Sequence, residues 1–514
     1  MTGFHTEVPA HPIDVVLARP TATSMTVSIV LAEAGEAVVE YWPANAEKRQ
    51  RTKPVRAEAG KTVVVELTDL TAGAEYRYRV GVLRGGPREA SRENPRENSR
   101  ETPPSPTWFE ESRFQLPRPR GTPFGFVIQA DSHLDANMSP EVYAQTLRNM
   151  RADALAGRAD FLVDLGDTFM TDKRGRDFER SLAQYDAQRY YFGLACDAMP
   201  LFMVLGNHDG EKGDAPGGMG DWSYRERTTR FPEPRIDGAM YTGETAMREG
   251  RGANYFAFEW GDALIVVLDP FWPTTERSRG GGGGGGGGGG SGGGPGMQAL
   301  DPVDSSWSRT LGRAQYDWLA ETLSKSTAKQ KFVFTHHLVG GVGGQAARGG
   351  VESAPFFEWG GRNADGSDGF AARRAGWPMP IHQLLVKHGV TAVFHGHDHL
   401  YVHSTLDGIH YQCVPQPGNL AGGTRSAGEY GYASGTILGS PGSMRVSVAA
   451  DGVAKVEFVR TAVGGDVGAG TGRGRGNRGA VEVNGSVPDS YEIAPRGAAA
   501  KVRTPAAGRS ERNE

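Results

Sequence analysis

The chain of 514 residues contains only two cysteines, Cys196 and Cys413, which lie far apart in the sequence. Two cysteines are too few for a disulfide framework or for a thiolate zinc cluster. The sequence also lacks any run of about 18 apolar residues, so we expect no membrane-spanning helix. These absences exclude small disulfide-stapled domains and predict that the chain is not an integral membrane protein.

An excess of charge of one sign is also missing. The formal net charge is −4, which gives no reason to expect electrostatic binding to nucleic acid, and we predict no such partner. The N-terminal stretch MTGFHTEVPAHPIDVV lacks a basic segment followed by an apolar one, the pattern of a signal peptide. We therefore expect a cytoplasmic protein, or an exported one if the true start lies upstream. The oligomeric state is not predicted.

Glycine is abundant, with 74 residues, and much of the excess is local. Residues 280–290 are an unbroken run of glycine, which has no side chains to pack and maximal backbone entropy. We predict a disordered insertion over 279–296, because no strand-to-helix context favours a phosphate-binding loop. Residues 463–514, rich in Gly, Ala and Arg, are predicted to be a flexible tail.

The first 118 residues have the pattern of an all-β domain. Short β-branched and aromatic runs recur at regular spacing, namely SMTVSIVLA, AVVEYW, KTVVVELTDL and EYRYRVGVL. Between the last of these runs and WFEESRFQL lies a charged, proline-bearing stretch that is typical of an exposed loop. The pattern predicts a small β-sandwich over residues 1–118.

From Phe124 onward, apolar runs alternate with amphipathic helical stretches. The runs are FGFVIQA, FLVDLG, PLFMVLG, ALIVVLD, KFVFTH and VTAVFHG. Helices are predicted over 139–157, 177–198, 313–326 and 381–388. Strands that alternate with helices indicate an α/β domain with largely buried sheets, which we place at residues 122–462.

Five of the apolar runs end in clusters of polar residues that are typical metal ligands. Because the carboxyl ends of strands form the ligand crevice of an α/β sheet, these clusters are expected to converge. Each aspartate or asparagine alone is equally typical of a turn at a strand end, but five clusters at successive strand ends favour a common site. The residues are Asp131 and His133, Asp167, Asn207 with His208 and Asp209, the pair His336 and His337, and His397 with His399.

The donor types predict the class of metal. Carboxylate, imidazole and amide oxygen, without thiolate, suit Mn, Fe, Co, Ni or Zn. The set is too large for one tetrahedral ion, and the lone Asp167 between two groups could bridge a pair. The residues by themselves do not decide which of His336 and His337 is a ligand, since neighbouring side chains on a strand point to opposite faces.

The ordered motifs D-x-H, G-D, G-N-H-D, V-x-x-H and G-H-x-H resemble those of the calcineurin-like metallophosphoesterase superfamily. The preceding β-sandwich and the stretch GANYFAFEWGDALIVVLD further resemble the purple acid phosphatase arrangement, in which a fibronectin type III-like domain precedes the catalytic one. The resemblance implies a four-layer α/β (α+β) sandwich, with two mixed sheets flanked by helices and a dinuclear metal site at the sheet edges.

The resemblance also implies roles for individual residues, with two divalent transition-metal ions (Fe, Mn, Zn or Co) as cofactors. Matching V-x-x-H to residues 333–336 selects His336 and turns His337 to the opposite side. The ligands are then Asp131, His133 and His399 on the first metal, Asn207, His336 and His397 on the second, and Asp167 between them.

We interpret the chain as a phosphoesterase that hydrolyses small phosphate monoesters, in the manner of an acid phosphatase, by attack of metal-bound hydroxide. His208 is the expected proton donor to the leaving oxygen, or a stabiliser of the phosphoryl group, and Asp209 the residue that holds its imidazole. The purple enzymes carry tyrosine where this chain has Met170, and glycine where it has His133, so a divalent pair is predicted.

The alternatives are a phosphodiesterase of nucleotide or glycerophosphodiester type, or a non-catalytic β-sandwich binding protein with a degenerate hydrolase domain. The intact set of ligands argues against the second.

Overall fold

The structure of the protein is a computed structural model. It describes residues 3–83, 105–211, 217–243, 254–271, 306–340, 348–464 and 483–495. The predicted glycine-rich insertion at 279–296 lies outside the described residues, as does most of the predicted tail.

The N-terminal region is built from nine strands, as its β-branched and aromatic runs predicted. They are β1 (Ile13–Ala18), β2 (Met25–Leu31), β3 (Gly35–Pro43), β4 (Gln50–Arg51), β5 (Val55–Ala57), β6 (Thr62–Leu67), β7 (Glu75–Leu83), β8 (Thr107–Trp108) and β9 (Ser112–Gln115). Strands β3 to β5 and β7 to β9 form a six-stranded sheet, and β1, β2 and β6 pair in antiparallel fashion opposite it. One apolar core, which includes Val27, Val39 and Phe114, fills the space between the two layers.

The sandwich is joined to the rest of the chain through a shared sheet. Strand β1 pairs in parallel with the strand Leu201–Met203 (β12) at Ala18 and Leu201. Hydrogen bonds add to this junction, since the Tyr78 and Ser112 hydroxyls donate to the Asp197 carbonyl at 2.6 and 2.9 Å. The predicted boundary near residue 118 therefore separates two patterns in the sequence, whereas the sheet itself runs across it.

The second region contains the remaining strands in two mixed sheets. They are β10 (Phe124–Gln129), β11 (Phe161–Asp164), β12 (Leu201–Met203), β13 (Thr242–Gly243), β14 (Phe256–Trp260), β15 (Ala263–Val267), β16 (Gln330–Thr335), β17 (Ala392–His395), β18 (Tyr401–Leu406), β19 (Ile409–Cys413), β20 (Thr436–Leu438), β21 (Gly442–Val448), β22 (Ala454–Arg460) and β23 (Asp489–Ile493). The first sheet has the order β23-β22-β21-β10-β11-β12-β1-β2-β6, and the second has the order β13-β14-β15-β16-β17-β19-β18-β20.

Several helices cover the outer faces of these sheets. Those that the structure describes are α1 (Pro140–Leu155), α2 (Leu182–Cys196), α3 (Met219–Arg230), α4 (Gly312–Lys325), α5 (Phe357–Gly360), α6 (Phe370–Arg373) and α7 (Ile381–Lys387), with a 3₁₀ segment at Thr171–Ser181. None of the described helices is both long and apolar enough to cross a bilayer.

The alternation of side chains along each strand produces four layers. On β10, Phe126 and Ile128 enter the core between the two sheets, while Val127 packs against α1 and α2. On β16, Phe332 and Phe334 enter the same central core, and Val333 packs against α4 and α7. This is the predicted sandwich of two mixed sheets flanked by helices, and it is confirmed.

The helix boundaries follow the local signals in the sequence. The Ser139 hydroxyl accepts a hydrogen bond from the Val142 amide at the start of α1, and Pro140 occupies its first turn. The helix predicted over 177–198 begins later, at Leu182, because Gly175 and Asp177 have non-helical backbone angles.

One part of the predicted tail is a strand. Residues 489–493 form β23, which pairs with β22 along five residues, and the Tyr401 hydroxyl donates to Asp489 at 2.6 Å. The prediction of a flexible tail over all of 463–514 is therefore wrong for this segment. Tyr491 and Ile493 bury apolar surface against the sheet, which the Gly-rich composition around them concealed.

Candidate metal centre

The seven predicted metal ligands lie together where strands of both sheets end. Strands β10, β11 and β12 run parallel, and their carboxyl ends deliver Asp131, Asp167 and Asn207 in neighbouring positions. Strands β16 and β17 also run parallel and deliver His336 and His397 from the other sheet. Because the carboxyl ends of parallel strands meet at one edge, residues up to 285 positions apart come into contact.

The first group consists of Asp131, His133 and His399, whose ligand atoms lie within 4.8 Å of one another. Asp131 Oδ1 is 3.6 Å from His133 Nε2 and 3.4 Å from His399 Nε2. The other oxygen, Oδ2, accepts a hydrogen bond from the His397 amide at 2.8 Å. Asp131 therefore has one oxygen fixed by the backbone and one directed into the group.

The second group consists of Asp167, Asn207, His336 and His397. His336 Nε2 lies 3.0 Å from Asn207 Oδ1, 3.2 Å from His397 Nδ1 and 3.2 Å from Asp167 Oδ2. His336 Nδ1 faces the Leu165 carbonyl at 2.8 Å, where only a protonated nitrogen makes a hydrogen bond. In the neutral imidazole Nε2 therefore carries the lone pair, and this nitrogen lies beside Asn207 Oδ1 and Asp167 Oδ2 as a potential metal-binding atom.

Asp167 belongs to both groups through a single oxygen. Its Oδ2 lies 3.7 Å from His133 Nε2 and 3.2 Å from His336 Nε2. The other oxygen accepts a hydrogen bond from the His208 amide at 2.7 Å. The position of Oδ2 between the two groups is the position that a bridging ligand requires.

The residues fit a pair of cations. Buried polar atoms normally have a hydrogen-bond partner, yet Asp131 Oδ1, His133 Nε2 and His397 Nε2 are buried without one among the described residues. Carboxylate oxygens and imidazole nitrogens that face each other as acceptors repel unless a positive charge lies between them. Oxygen and nitrogen donors without thiolate match the first-row divalent metals.

The charges in the centre are those that attract a cation. Burial by itself raises the pKa of Asp167, but the His336 and His208 imidazoles outweigh it and hold that pKa well below its usual value. Burial lowers the pKa of His336, whereas the Asp167 charge raises it to about 9. The Asp167 carboxylate therefore stays negative in a buried site and attracts positive charge, either the proton on His336 or a metal ion that replaces it.

The backbone of the centre adopts sparsely populated conformations. Five of the seven predicted ligands have positive φ: Asp131 (59°), His133 (38°), Asp167 (55°), His397 (71°) and His399 (62°). Left-handed backbone at residues other than glycine costs about 1–3 kcal/mol each and concentrates at functional sites. The rest of the fold must offset this cost. These loops are therefore arranged to place the ligands and not to maximise local stability.

Two glycines allow the ligand loops to approach each other. A Cβ atom at Gly206 would lie 2.0 Å from the Asp167 amide nitrogen, and one at Gly396 would lie 2.7 Å from Asp131 Oδ2. Any side chain at either position would displace a predicted ligand. Glycine is required at both positions for space.

The structure corrects the assignment of the residue that holds His208. Asp172 Oδ2 lies 2.9 Å from His208 Nδ1, so this carboxylate orients the imidazole and leaves Nε2 available. The Asp209 carboxylate instead accepts four backbone hydrogen bonds at 2.7–3.1 Å, from residues 167, 168, 169 and 206. The predicted role of Asp209 as the partner of His208 is wrong, because its side chain turns inward to satisfy the loop that carries Asp167.

His337 lies outside the two ligand groups. Its ring packs edge-on against Phe271 with centroids 5.1 Å apart, and its Nδ1 faces the Leu338 carbonyl at 3.0 Å. Between the adjacent histidines, His336 is therefore the one that reaches the centre. Met170, in the position of the expected tyrosine, is buried with φ of 52°.

Three residues that support the centre were not identified from the sequence as parts of it. Asp172 orients His208, Asp135 Oδ2 lies 3.4 Å from His133 Nδ1, and the Gln416 amide donates to the Asp131 carbonyl at 3.1 Å. For Asp135 the available signal is its place two residues after His133. Asp172 and Gln416 carry no signal in the sequence, since neither lies at the end of a strand with a motif.

The sequence of residues 124–401, more than half of the chain, matches the family model described as calcineurin-like phosphoesterase. The chain belongs to this family. A comparison with curated protein sequences finds no match.

Two solved structures resemble this calcineurin-like phosphoesterase over most of its length. One is PhoD, at 13% identity, with 88% of this chain and 87% of that chain covered and a TM-score of 0.56. The other is purple acid phosphatase PPD1 from seeds of yellow lupin (Lupinus luteus), at 14% identity, with 94% and 74% covered and a TM-score of 0.54. At these identities the likeness demonstrates the fold alone.

Proposed function

We propose that the chain is a phosphoesterase dependent on two divalent transition-metal ions and that it hydrolyses phosphate monoesters in the manner of an acid phosphatase. The observation that carries the proposal is the convergence of buried acceptor atoms on two points that share Asp167 Oδ2. Membership in a family of phosphoesterases supplies the reaction class. Residues 1–118 form the accessory β-sandwich and residues 122–462 the catalytic region in this proposal.

Asp167 would contact both ions, and each of the other ligands would contact one. When bound, two such cations polarise phosphoryl oxygens and acidify water. The remaining residues are Asp131, His133 and His399 for the first ion, and Asn207, His336 and His397 for the second.

His208 is the proposed proton donor to the leaving oxygen. Its Nδ1 is held by Asp172 at 2.9 Å, and its side chain is 23% exposed, so Nε2 is accessible to a substrate. Imidazole is among the commonest general acids in enzymes. Its main-chain amide also donates to Asp167, which fixes His208 relative to the metal centre.

The donor set and Met170 support a pair of divalent ions and leave four metals as candidates. Iron, manganese, zinc and cobalt all accept carboxylate, imidazole and amide ligands. Because methionine occupies the position of the tyrosine of purple enzymes, the loaded protein should have no tyrosinate-to-iron absorption band. A purple preparation would contradict this assignment.

The test of the function is metal analysis combined with a paired assay on an aryl phosphate monoester and the corresponding diester. We expect about two equivalents of metal, loss of hydrolysis in chelator, recovery with Mn²⁺, Zn²⁺ or Co²⁺, and faster monoester hydrolysis. Faster diester hydrolysis would establish a phosphodiesterase. Two bound metals without hydrolysis of either ester would favour a non-catalytic role, and full activity of metal-free protein would refute the proposal.

The role of His208 is tested by the choice of leaving group. An alkoxide needs protonation as it departs, whereas an activated aryl oxide needs little, so His208→Ala should slow an alkyl phosphate more. General acid catalysis is typically worth roughly 10²–10⁴-fold, which sets the expected loss on the alkyl substrate. Equal losses on both substrates, with metal content intact, would mean that His208 positions the phosphoryl group instead.

A further inference from the structure

A third cluster of ligand-type side chains lies beside the metal centre. Its members are His395, Asp398 and Cys413, all buried, with ligand atoms within 4.8 Å of one another. Its carboxylate differs from those of the centre, because donors already surround it. Arg348 Nη1 donates to Asp398 Oδ1 at 2.9 Å, and the Gly349 amide and the Tyr432 hydroxyl donate to Oδ2 at 2.8 and 2.6 Å.

Both oxygens of Asp398 already accept hydrogen bonds, which argues against a third metal ion at this cluster. The Arg348 guanidinium already supplies the positive charge that Asp398 needs. Burial raises the pKa of the Cys413 thiol well above its usual value, so it remains protonated, and its sulfur lies 3.6 Å from the Gly396 carbonyl. The cluster is therefore a hydrogen-bonded unit and needs a different explanation.

The place of Asp398 in the chain supplies that explanation. It lies between His397 and His399, which belong to the two different ligand groups. Both histidines have left-handed backbone angles, with φ of 71° and 62°. Arg348 Nη1 donates to the His397 carbonyl at 2.8 Å as well as to Asp398, so it fixes the same turn from outside.

We propose that Asp398, with Arg348 and Tyr432, is a positioning unit that holds His397 and His399 in place and so sets the affinity of both cation sites. The inference rests on the proposed function, since it concerns how the same centre is held. Neither Asp398 nor its partners touch substrate in this role.

The physical basis is the cost of the turn. The two left-handed residues that flank Asp398 each cost about 1–3 kcal/mol, and the turn persists only where its surroundings hold it. Three charge-assisted or hydroxyl hydrogen bonds to one buried carboxylate provide that restraint. Without these hydrogen bonds, the turn relaxes. Because the turn carries one ligand of each group, the ligands of both sites are then displaced together.

The test is a titration of chelator-treated protein with Mn²⁺, followed by calorimetry. Asp398→Asn should weaken binding at both sites by about 10–100-fold, the range typical when a partner of a metal ligand is lost. Because the variant keeps every metal-binding atom, saturating Mn²⁺ should restore most of the wild-type kcat. A collapsed or misfolded centre would not recover in this way. The matched control is Asp365→Asn, which changes an exposed carboxylate that accepts from the Ser367 amide.

Two further variants keep the inference testable if Asp398→Asn does not fold. Tyr432→Phe and Arg348→Gln each remove part of the restraint and should each weaken Mn²⁺ binding a few-fold at both sites. Tyr190→Phe, which alters a half-buried tyrosine of α2 that packs against His11 and Tyr191, should bind as the wild type does. Circular dichroism of each variant reports whether the fold is retained.

Unchanged Mn²⁺ affinity in Asp398→Asn, or in both Tyr432→Phe and Arg348→Gln, would overturn the inference while leaving the proposed function intact. Weakening at one site only would overturn the claim that the unit serves both. A wild-type protein that binds no metal would overturn the proposed function and this inference with it.

Discussion

The N-terminal sandwich and the metal centre each bury a carboxylate, and the surroundings of the two are opposite. Glu40 in the sandwich accepts hydrogen bonds from Arg49, Arg51 and Arg79, all at 2.9 Å. Asp167 accepts one bond from a backbone amide, and its other oxygen faces imidazole nitrogens. A buried carboxylate that is saturated with donors serves the fold, whereas one that faces other acceptors is arranged for a cation that the protein itself does not supply.

The backbones of the two regions differ in the same way. Strands β3 and β7 of the sandwich pair through eight residues in a regular antiparallel ladder. In the centre, left-handed ligands lie within three residues of the ends of strands β10, β11 and β17. Regular structure satisfies its own polar groups, so departures from it at several strand ends mark a place where function outweighs local stability.

The largest expected effect is that of changing the shared ligand. Asp167→Asn removes the negative charge that both groups use, so it should reduce the metal content. It should also lower kcat by at least about 100-fold, which exceeds the loss typical for residues that only hydrogen-bond to metal ligands. Elemental analysis and steady-state kinetics on the same preparation measure both quantities. Glu40→Gln is the matched control and should leave metal content unchanged; a metal loss there would abolish the distinction between the two carboxylates.

The adjacent histidines provide the next comparison. His336→Ala removes the atom on which Asn207, Asp167 and His397 converge, so it should lower metal affinity by more than about 100-fold, whereas His337→Ala should lower it by about 10-fold or less. Binding of Mn²⁺ to chelator-treated protein measures the difference. The reverse order would show that the register of β16 relative to the centre is wrong by one residue.

The two aspartates near His208 should separate into effects on rate and on stability. Asp172→Asn leaves the loop hydrogen bonds intact and should lower kcat on an alkyl phosphate by about tenfold, a fraction of what the acid itself contributes. Asp209→Asn turns one acceptor oxygen into a donor that faces buried N–H groups, which should cost about 1–3 kcal/mol in the free energy of unfolding.

Kinetics and urea denaturation on both variants distinguish these outcomes. If Asp209→Asn is as stable as the wild type and Asp172→Asn is as fast, both assignments are wrong.

The smallest effect concerns the pH dependence of the sandwich. Burial raises the pKa of Glu40, but hydrogen bonds from Arg51, Arg49 and Arg79 outweigh it and lower that pKa to about 2. A carboxyl with a lower pKa in the folded state stabilises the protein above its unfolded pKa of 4.5, and this contribution is lost as the pH falls towards 2.

Glu40→Gln should therefore reduce the free energy of unfolding by about 1–2 kcal/mol at pH 7. The gap from the wild type should close between pH 4.5 and about 2, in the window that the two pKa values define. Urea denaturation at several pH values, with metal present throughout, measures this gap. A constant difference across that range would mean that the arginines do not act through the charge of Glu40.

The strands, the order of the ligand motifs and the types of donor could all be predicted from the sequence, because each depends on residues close together in the chain. Apolar runs such as 124–130 and 331–336 end in polar residues, and that local pattern located Asp131 and His336 at strand ends. The selection of His336 over His337 came from a family motif, and the structure brings the chosen histidine to the centre.

Only the tertiary structure decided which side chains meet. Asp172 holds His208 across 36 positions of the chain, Arg348 and Tyr432 donate hydrogen bonds to Asp398, and β1 joins the first sheet of the second region. Such contacts leave no periodicity and no motif, because each depends on the spatial path of loops between strands and not on the local preferences of the residues. The sequence determined which types of ligand side chain are present. The packing of the two sheets determined which carboxylates keep an oxygen that no hydrogen-bond donor occupies and that a metal could bind.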